Sequence, residues 1–176
     1  MKKEITIYID SDGVTTDLIG GACKACDITR EEAEAKFDDN SMWAKIENKG
    51  PQFWADLKLF NYAKGLVAEC QKYGEVVILT SPGNTDRYPK NASQAAAGKV
   101  LFFSKHFPGV ELIITKHKHR CANENSILVD DMQHNLTEFK KSGGKIFLWP
   151  RQGTDNTPQF DETLEKLKVE LIAMST

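Results

Sequence analysis

Two pairs of aspartates follow short apolar runs near opposite ends of the chain. Asp10 and Asp12 come directly after the run ITIYI, and Asp130 and Asp131 end the run SILVDD. Carboxylates brought together repel one another, and burying several is unfavourable unless a cation neutralises them. Oxygen ligands favour Mg²⁺, which takes one or two carboxylates and leaves its other positions to water and phosphate oxygens. The acidic pairs therefore predict a magnesium site, provided that the fold brings them together.

Side chains suited to binding phosphate follow two other apolar runs. Thr80 and Ser81 end the run EVVILTS, and their hydroxyls can donate hydrogen bonds to phosphate oxygens. Lys116 and Lys118 follow the run VELIIT, and a lysine ammonium supplies a positive point charge. Carboxylates, hydroxyls and a lysine in this order describe a site for phosphoryl transfer.

The elements that must position these residues are five short runs of β-branched and aliphatic residues, which are typical of strands in a buried parallel sheet. Helical patterns separate the later runs, and the last helix is predicted to begin at Asp161 as its N-cap. We therefore predict an α/β fold with a doubly wound parallel sheet of about five strands. Ligands of such sheets bind beyond the carboxyl ends of the strands, where all the polar residues above lie. The predicted strands are EITIYI, EVVILT, VELIIT, SILVD and KIFLW.

The stretch between the first two predicted strands interrupts the alternation, because it has no strand-like run. It carries helical patterns such as TREEAEAKF, in which Thr29 and Glu32 have the spacing of a capping box. We predict that residues 17–56 form a small inserted helical cap. Residues 1–16 and 57–176 would then form the α/β core.

The bulk composition limits the class of protein. The chain has 176 residues, of which 40% are hydrophobic and 27% charged, with a mean hydropathy of -0.44, as in soluble globular domains. A formal net charge of -2 gives no general attraction to nucleic acid or anionic membranes. No apolar run approaches the roughly 20 residues needed to span a bilayer, and the start turns acidic too early for a secretory signal. We therefore expect a cytoplasmic protein without a membrane partner.

The cysteines suggest a reducing compartment. There are four of them, too few and too scattered for a disulfide framework. Cys23 and Cys26 form a CxxC pair, but zinc requires four ligands and no second CxxC follows. The sequence therefore assigns no role to this pair.

The four sets of polar residues resemble the motifs of the haloacid dehalogenase (HAD) superfamily of phosphatases, as DSDGV, ILTSP, a lysine before the fourth strand, and LVDD. Within the superfamily the sequence is most similar to the 5'(3')-deoxyribonucleotidases, which share the patterns DGVxxD, FWADL, TSP and a basic residue two positions before the lysine. The resemblance extends from about Ile5 to Asn135. It departs at Ser11, between the two aspartates, and at Lys116, where the nucleotidases tend to have arginine.

The resemblance implies a two-step phosphatase reaction. Asp10 would attack phosphorus to form an aspartyl phosphate, and Asp12 would protonate the leaving alcohol and later activate water. Thr80 would bind the phosphate. Lys118 and Mg²⁺ would offset the repulsion between the anionic Asp10 carboxylate and the anionic phosphate. Asp12 would offer its backbone carbonyl to the metal, and the choice between the last two aspartates stays open. The implied metal ligands come from Asp10, Asp12, Asp130 and Asp131.

The resemblance also implies that the cap covers the crevice and recognises the leaving group. Trp43, Phe53 and Trp54 are candidates for stacking on a nucleobase, with Ser81 and Lys116 contacting phosphate or sugar. The expected substrate is a small-molecule phosphate monoester, namely a nucleoside monophosphate and foremost a deoxyribonucleotide. A phosphatase for a sugar phosphate or for a polynucleotide 3'-phosphate is an alternative.

A signalling receiver domain is the alternative that is not an enzyme, because receivers also place aspartate, threonine and lysine at strand ends. Receivers carry their acidic pair early and their phosphoacceptor aspartate at mid-chain. Here the acidic pair comes last and a long insertion follows the first strand, so the order of motifs favours the phosphatase. The sequence leaves open whether the protein is a monomer or a homodimer.

Overall fold

The predicted parallel sheet is present. The structure, a computed structural model, describes residues 4–35, 40–150 and 157–175. Its strands are β1 (Thr6–Ile9), β2 (Glu75–Thr80), β3 (Glu111–Ile114), β4 (Ser126–Asp130) and β5 (Lys145–Leu148). Within the described residues they pair in parallel in the order β3-β2-β1-β4-β5. The central strand is β1, and the chain reverses its direction of winding beside it, as in doubly wound sheets.

The strands form because their side chains have apolar partners on both faces of the sheet. β2 and β4 are the most completely buried strands, and strands covered on both faces consist of continuous apolar runs. In β1, Ile7 and Ile9 join a larger hydrophobic core, whereas Tyr8 packs against a smaller one. The bounds of β2 and β4 are those predicted, and the other three strands are one or two residues shorter than their predicted segments.

Helices cover the two faces unequally. The helices of the sheet region are α5 (Ala63–Cys70), α6 (Pro89–His106), α7 (Gln133–Lys141) and α8 (Thr157–Ser175). Buried side chains of α5, α6 and α8 join the larger core. On the opposite face, Leu136 and Phe139 of α7 pack with Leu79 and Leu128 in the smaller core. In the described part of the chain, no helix is long and apolar enough to cross a membrane.

A segment of short helices separates β1 from β2. Its helices are α1 (Leu18–Cys26), α2 (Arg30–Ala35), α3 (Asn40–Glu47) and α4 (Pro51–Ala55). The two ends of the segment lie side by side, because the Asp17 N–H donates to the Lys58 carbonyl at 2.9 Å and the Phe60 N–H donates to the Thr15 carbonyl at 3.0 Å. The chain therefore leaves the sheet and returns to it at one place.

The helical segment packs on the sheet region through α6, which contacts α3 and α4. A Cβ atom at Gly98 of α6 would clash with the Pro51 carbonyl and the Trp54 side chain of α4. Glycine at this position therefore permits the close approach of the two helices.

Two predictions about helix ends have different outcomes. The capping box is confirmed, since the Thr29 N–H donates to Glu32 Oε2 at 2.9 Å and the Glu32 N–H donates to Thr29 Oγ1 at 3.2 Å. The predicted end of this helix, at residues 36–37, lies outside the described residues. The prediction that Asp161 caps the last helix is wrong, because α8 begins at Thr157 and already includes it.

Candidate active site

The loop after β1 wraps around one backbone carbonyl. The N–H groups of residues 14–16 all donate to the Ser11 carbonyl, at 2.8–3.2 Å. Gly13 has φ +87°, a conformation that favours glycine, and a Cβ there would clash with the Asp131 carboxylate. This glycine therefore lets the loop after β1 approach the acidic pair after β4.

Three of the predicted aspartates form one cluster. Asp10, Asp130 and Asp131 each offer a carboxylate oxygen, and these oxygens lie within 4.8 Å of one another. The cluster arises because β1 and β4 are neighbours, with the Asp10 N–H donating to the Val129 carbonyl at 3.0 Å. Among the described residues, it is the group of acidic, histidine and cysteine side chains with the geometry to hold a metal ion. The Asp12 side chain lies outside this group.

Lys118 lies between two members of the cluster. It opens the 3₁₀ turn Lys118–Cys121, and its Nζ is 2.7 Å from Asp10 Oδ1 and 2.7 Å from Asp130 Oδ2. Burial alone would lower the pKa of this amine, but the two carboxylates outweigh burial and hold the pKa above its ordinary value. Lys118 is therefore a fixed positive charge in the cluster.

The titration of the Asp10 carboxyl is shifted by its surroundings. Burial is the main cause that raises the pKa of its carboxyl to about 7. Lys118 opposes this shift, and the three neighbouring aspartates add to it. A divalent cation held by the cluster would lower the pKa of Asp10 again.

The two aspartates at the end of β4 have different surroundings. Asp130 is fully buried, and its Oδ1 accepts from the Met132 N–H at 2.8 Å while Oδ2 accepts from Lys118. Asn135 Nδ2 lies 3.2 and 3.0 Å from the two oxygens of Asp130. Asp131 lines the open cavity instead. The protein thus uses both Asp130 oxygens itself, while Asp131 faces the space where a ligand would bind.

Asp12 is held by a residue that the sequence analysis missed. Its Oδ1 accepts from Thr16 Oγ1 at 3.1 Å, and its Oδ2 accepts from Lys99 Nζ at 2.6 Å. Lys99 is 2% exposed although it lies in the middle of α6. The sequence contains a signal for it, since a lysine stands in AAAGKVLFF one helical turn from Ala95 and Phe103, on the buried face of the helix.

The predicted phosphate-binding residues lie at different depths. Thr80 is fully buried, and its Oγ1 accepts from Lys99 at 2.8 Å. Ser81 lines the cavity, and its Oγ accepts from the Gly83 N–H at 3.0 Å. Lys116 lies at the exposed edge, with Nζ 3.0 Å from Asp86 Oδ2. The structure therefore brings Ser81 and Lys116 to the cavity and places Thr80 behind its wall.

Solved structures with the same architecture are known, although no protein-family model and no curated protein matches the sequence. A HAD family hydrolase from Deinococcus radiodurans, solved with bound phosphate and sodium, superposes with a TM-score of 0.57 at 10% identity over 99% of this chain and 97% of that chain. A candidate HAD hydrolase from Bacillus subtilis bound to magnesium superposes with a TM-score of 0.57 at 13% identity, over 97% of this chain and 99% of that chain. A candidate phosphoglycolate phosphatase from Lactobacillus delbrueckii superposes with a TM-score of 0.57 at 11% identity, over 97% of this chain and 99% of that chain.

The chain has the HAD fold. Its sheet order also separates it from the receiver alternative, since receivers have the flavodoxin-like order 2-1-3-4-5 and this sheet has the order 3-2-1-4-5. At these identities the superpositions concern the fold alone.

One cavity of about 380 Å³ extends from the acidic cluster of the HAD fold to the helical segment. Its volume lies within the range of about 300–1,000 Å³ that is usual for small-molecule sites. Trp43 lines it, with its ring stacked on Trp54 at a centroid distance of 6.4 Å and 6.1 Å from the ring of Tyr88. Phe53 packs edge-on against Trp54 and lines a separate shallow depression beside Leu57. The structure therefore brings Trp43 and Trp54 to the cavity and leaves Phe53 outside it.

Other cavity residues had no signal in the sequence, because only tertiary packing brings them together. Arg30 Nη2 is 2.8 Å from Asp17 Oδ1 at the cavity wall. Asn91 Nδ2 donates to the Trp43 carbonyl at 3.1 Å and thereby ties α6 to α3.

The cysteines of the CxxC pair are free thiols, and Cys26 is buried.

Proposed function

We propose that this protein is a Mg²⁺-dependent phosphatase that hydrolyses a nucleoside monophosphate, foremost a deoxyribonucleotide, through an aspartyl-phosphate intermediate. The observation that carries the proposal is the meeting of Asp10, Lys118 and Asp131 at one cavity, with Asp12 at the same cavity wall. HAD-fold hydrolases solved with phosphate and sodium or with magnesium support the same class of ligands.

The residues around the acidic cluster fit a divalent cation. The side-chain donors are carboxylate oxygens, which are the ligands that Mg²⁺ prefers. Gly13 leaves room beside Asp131 that a Cβ would fill. Asp10, Asp131 and the Asp12 backbone carbonyl would hold the ion, while Asp130 keeps Lys118 in place. When bound, the ion supplies positive charge that offsets repulsion between the nucleophile and the phosphate.

In the proposed first step, the Asp10 carboxylate attacks phosphorus. A bond forms between an Asp10 oxygen and phosphorus, and the bond from phosphorus to the leaving oxygen breaks. The electron pair of that bond goes to the leaving oxygen, which takes a proton from Asp12. Lys118 offsets the negative charge that this approach brings together. Ser81 and Lys116, which line the cavity, would orient the phosphate.

In the proposed second step, water releases the enzyme. Asp12, now a carboxylate, takes a proton from the attacking water, and the new bond between oxygen and phosphorus displaces Asp10. The products are inorganic phosphate and the original enzyme with Asp12 protonated. One residue therefore serves as acid and then as base, which requires that its carboxylate stay in one place.

We propose that residues 17–56 act as a cap over a core formed by residues 1–16 and 57–176. The segment leaves and re-enters the core at one place, and its α3 contributes Trp43 to the cavity. A flat aromatic ring at this position suits the face of a nucleobase. The cap would thereby exclude water from the phosphoryl group and recognise the leaving nucleoside.

A panel of phosphate monoesters, assayed for phosphate release with Mg²⁺ and with EDTA, tests the proposal. We expect turnover of deoxyribonucleoside monophosphates with Mg²⁺, none with EDTA and none by Asp10→Asn. If only sugar phosphates or polynucleotide 3'-phosphates are hydrolysed, the proposed reaction stands and the proposed substrate is wrong. A chain that hydrolyses no monoester, or an Asp10→Asn variant that retains activity, would overturn the proposal.

A further inference from the structure

A buried lysine lies beside the proposed proton donor. Lys99 Nζ is 2.6 Å from Asp12 Oδ2, 2.8 Å from Thr80 Oγ1 and 2.7 Å from the Ser81 carbonyl. A lysine ammonium has three donors, so these three acceptors use all of them. Lys99 therefore has no donor left for a phosphate oxygen, unlike a lysine that binds substrate.

The surroundings of Lys99 show that packing alone does not explain it. It lies on the buried face of α6 near Ala95 and Phe102, where an apolar side chain would avoid the cost of burying a charge. The ring of Trp54 lies 5.5 Å from Nζ, at a distance where a cation is attracted to an aromatic face. The charge is thus paired with one carboxylate and covered from the side of the helical segment.

Asp12 depends on Lys99 for the orientation of its carboxylate. The remaining contacts of this carboxylate, from Thr16 at 3.1 Å and Ser11 at 3.4 Å, both reach Oδ1. Hydroxyl contacts to one oxygen leave the group able to turn about them. Lys99 holds the other oxygen and joins it to the end of β2 through Thr80.

We propose that Lys99 is a positioning residue that holds the Asp12 carboxylate where the leaving oxygen departs. This inference rests on the proposed function, in which Asp12 protonates that oxygen. Without the Lys99 side chain, Asp10 could still attack phosphorus, but the Asp12 carboxyl would no longer be held beside the leaving oxygen. The chemistry of Asp10 and Lys118 does not require Lys99.

Leaving groups of different acidity distinguish this role from a structural one. As the bond from phosphorus breaks, an alkoxide needs the proton from Asp12, because it is a strong base. A p-nitrophenolate leaves as a stable anion and needs the proton far less. A misplaced proton donor therefore slows hydrolysis of an alkyl ester much more than that of an activated aryl ester, whereas a partly unfolded enzyme slows both equally.

The experiment compares Lys99→Met with the unchanged protein on benzyl phosphate and p-nitrophenyl phosphate, both with Mg²⁺. Each probe carries one aromatic ring, so recognition by the cap differs little between them. We expect kcat/KM to fall about 100-fold or more for benzyl phosphate, the range of general acid catalysis, and less than about tenfold for p-nitrophenyl phosphate. The ratio is taken within one sample, so a smaller folded fraction cancels. Lys105→Met, at an exposed position of the same helix, is the matched control and should keep both rates.

A second pair of variants makes the result independent of the methionine variant. Lys99→Arg keeps the charge but cannot reproduce three contacts of a compact ammonium, so it should show the same bias toward the aryl ester. Asp12→Asn should show the bias as well, and adding Lys99→Met to it should leave the ratio unchanged.

Three outcomes decide the inference. A larger loss on benzyl phosphate in the Lys99 variants supports it. Equal losses on the two esters in both Lys99 variants would overturn it and leave Lys99 with a structural role. If the unchanged protein hydrolyses no phosphate monoester with Mg²⁺, neither these two esters nor a deoxyribonucleoside monophosphate, the proposed function itself fails, and the inference falls with it.

Discussion

The floor and the roof of the cavity are built in different ways. The floor consists of Asp10, Ser81, Lys118 and Asp131, which follow the ends of parallel strands or the turn after them. Neighbouring strands lie about 4.8 Å apart because backbone hydrogen bonds fix them, so residues at their ends meet whatever the helices do. The roof consists of Arg30, Trp43, Trp54 and Tyr88, and it depends on side-chain packing between helices. Under the proposed function, the floor would carry out the reaction and the roof would select the substrate.

Helix α6 belongs to both regions. Near its N-terminus, Asn91 donates to the Trp43 carbonyl, and Tyr88 Oη donates to Asn40 Oδ1 at 2.5 Å. Two turns further along, Lys99 reaches Asp12 on the side of the floor. A shift of α6 relative to the sheet would displace residues of both the floor and the roof. A substitution near one end of α6 should affect only the region that this end contacts.

The largest expected effect within the floor separates its two final aspartates. Asp131→Asn removes a proposed ligand of the cation and should raise the Mg²⁺ concentration for half-maximal activity by about 100-fold, the upper range for changes around a metal site. Asp130→Asn removes a buried partner of Lys118 and should destabilise the fold by about 3–5 kcal/mol. Magnesium titrations and thermal unfolding of both variants measure these effects. Equal magnesium dependence of the two variants would show that the floor does not divide these roles.

A smaller effect is expected when the roof is changed. Trp43→Ala should raise KM for a deoxyribonucleoside monophosphate about tenfold, because stacking on one base contributes about 1–3 kcal/mol. The KM for p-nitrophenyl phosphate should change less than about twofold, since that probe needs less of the wall. Phe53→Ala, outside the cavity, is the matched control. The same rise for both substrates would contradict the division between floor and roof.

The smallest expected effect is on stability and concerns the charge of the floor. The pKa of Asp10 is raised from 3.8 to about 7, so the folded protein holds a proton that the unfolded chain has released. The contribution of this proton to the free energy of unfolding is fully present below about pH 4. It is lost as pH rises toward 7, because over this range the unfolded chain binds fewer protons than the folded protein. Without a divalent cation, Asp10→Asn should therefore raise Tm relative to the unchanged protein more at pH 8 than at pH 5.

The increase in this Tm difference between pH 5 and pH 8 should amount to roughly 5–10 °C. The titration between pH 5 and about 7 spans about two pH units of about 1.4 kcal/mol each, and about 1 kcal/mol corresponds to 2–4 °C for a chain of this size. Thermal unfolding in EDTA at the two pH values measures it. Adding Mg²⁺ at pH 8 should stabilise the unchanged protein and have little effect on Asp10→Asn. A Tm difference that does not depend on pH would mean that Asp10 is already ionised in the metal-free floor.

The sequence predicts the floor well because strand ends carry their own signal. The runs that became β2 and β4 end at Thr80 and Asp130 as predicted, and β1 leads directly into Asp10. Lys99 and Asn135 were missed, because they reach the site from helices whose rotation depends on packing against the sheet. Their neighbours in the sequence do not show which strand end they will meet.

The roof shows the limit of prediction from patterns. Trp43, Phe53 and Trp54 are equivalent candidates in the sequence, yet only the packing of α3 and α4 on α6 decides which rings face the cavity. A spacing of one residue puts Phe53 and Trp54 in different surroundings on α4, with Phe53 at a separate depression. The rings that a bound molecule would meet therefore depend on helix packing that the spacing of aromatic residues does not encode.

The paired backbone at the base of the helical segment has a consequence for how this fold can vary. Because Asp17 bonds to Lys58 and Phe60 bonds to Thr15, the chain between them begins and ends at neighbouring points. A longer, shorter or foreign set of helices can be grafted between these points without changing the distance that the graft must span. Under the proposed function, new substrate preferences could then arise by exchange of a module while the residues at the strand ends stay as they are.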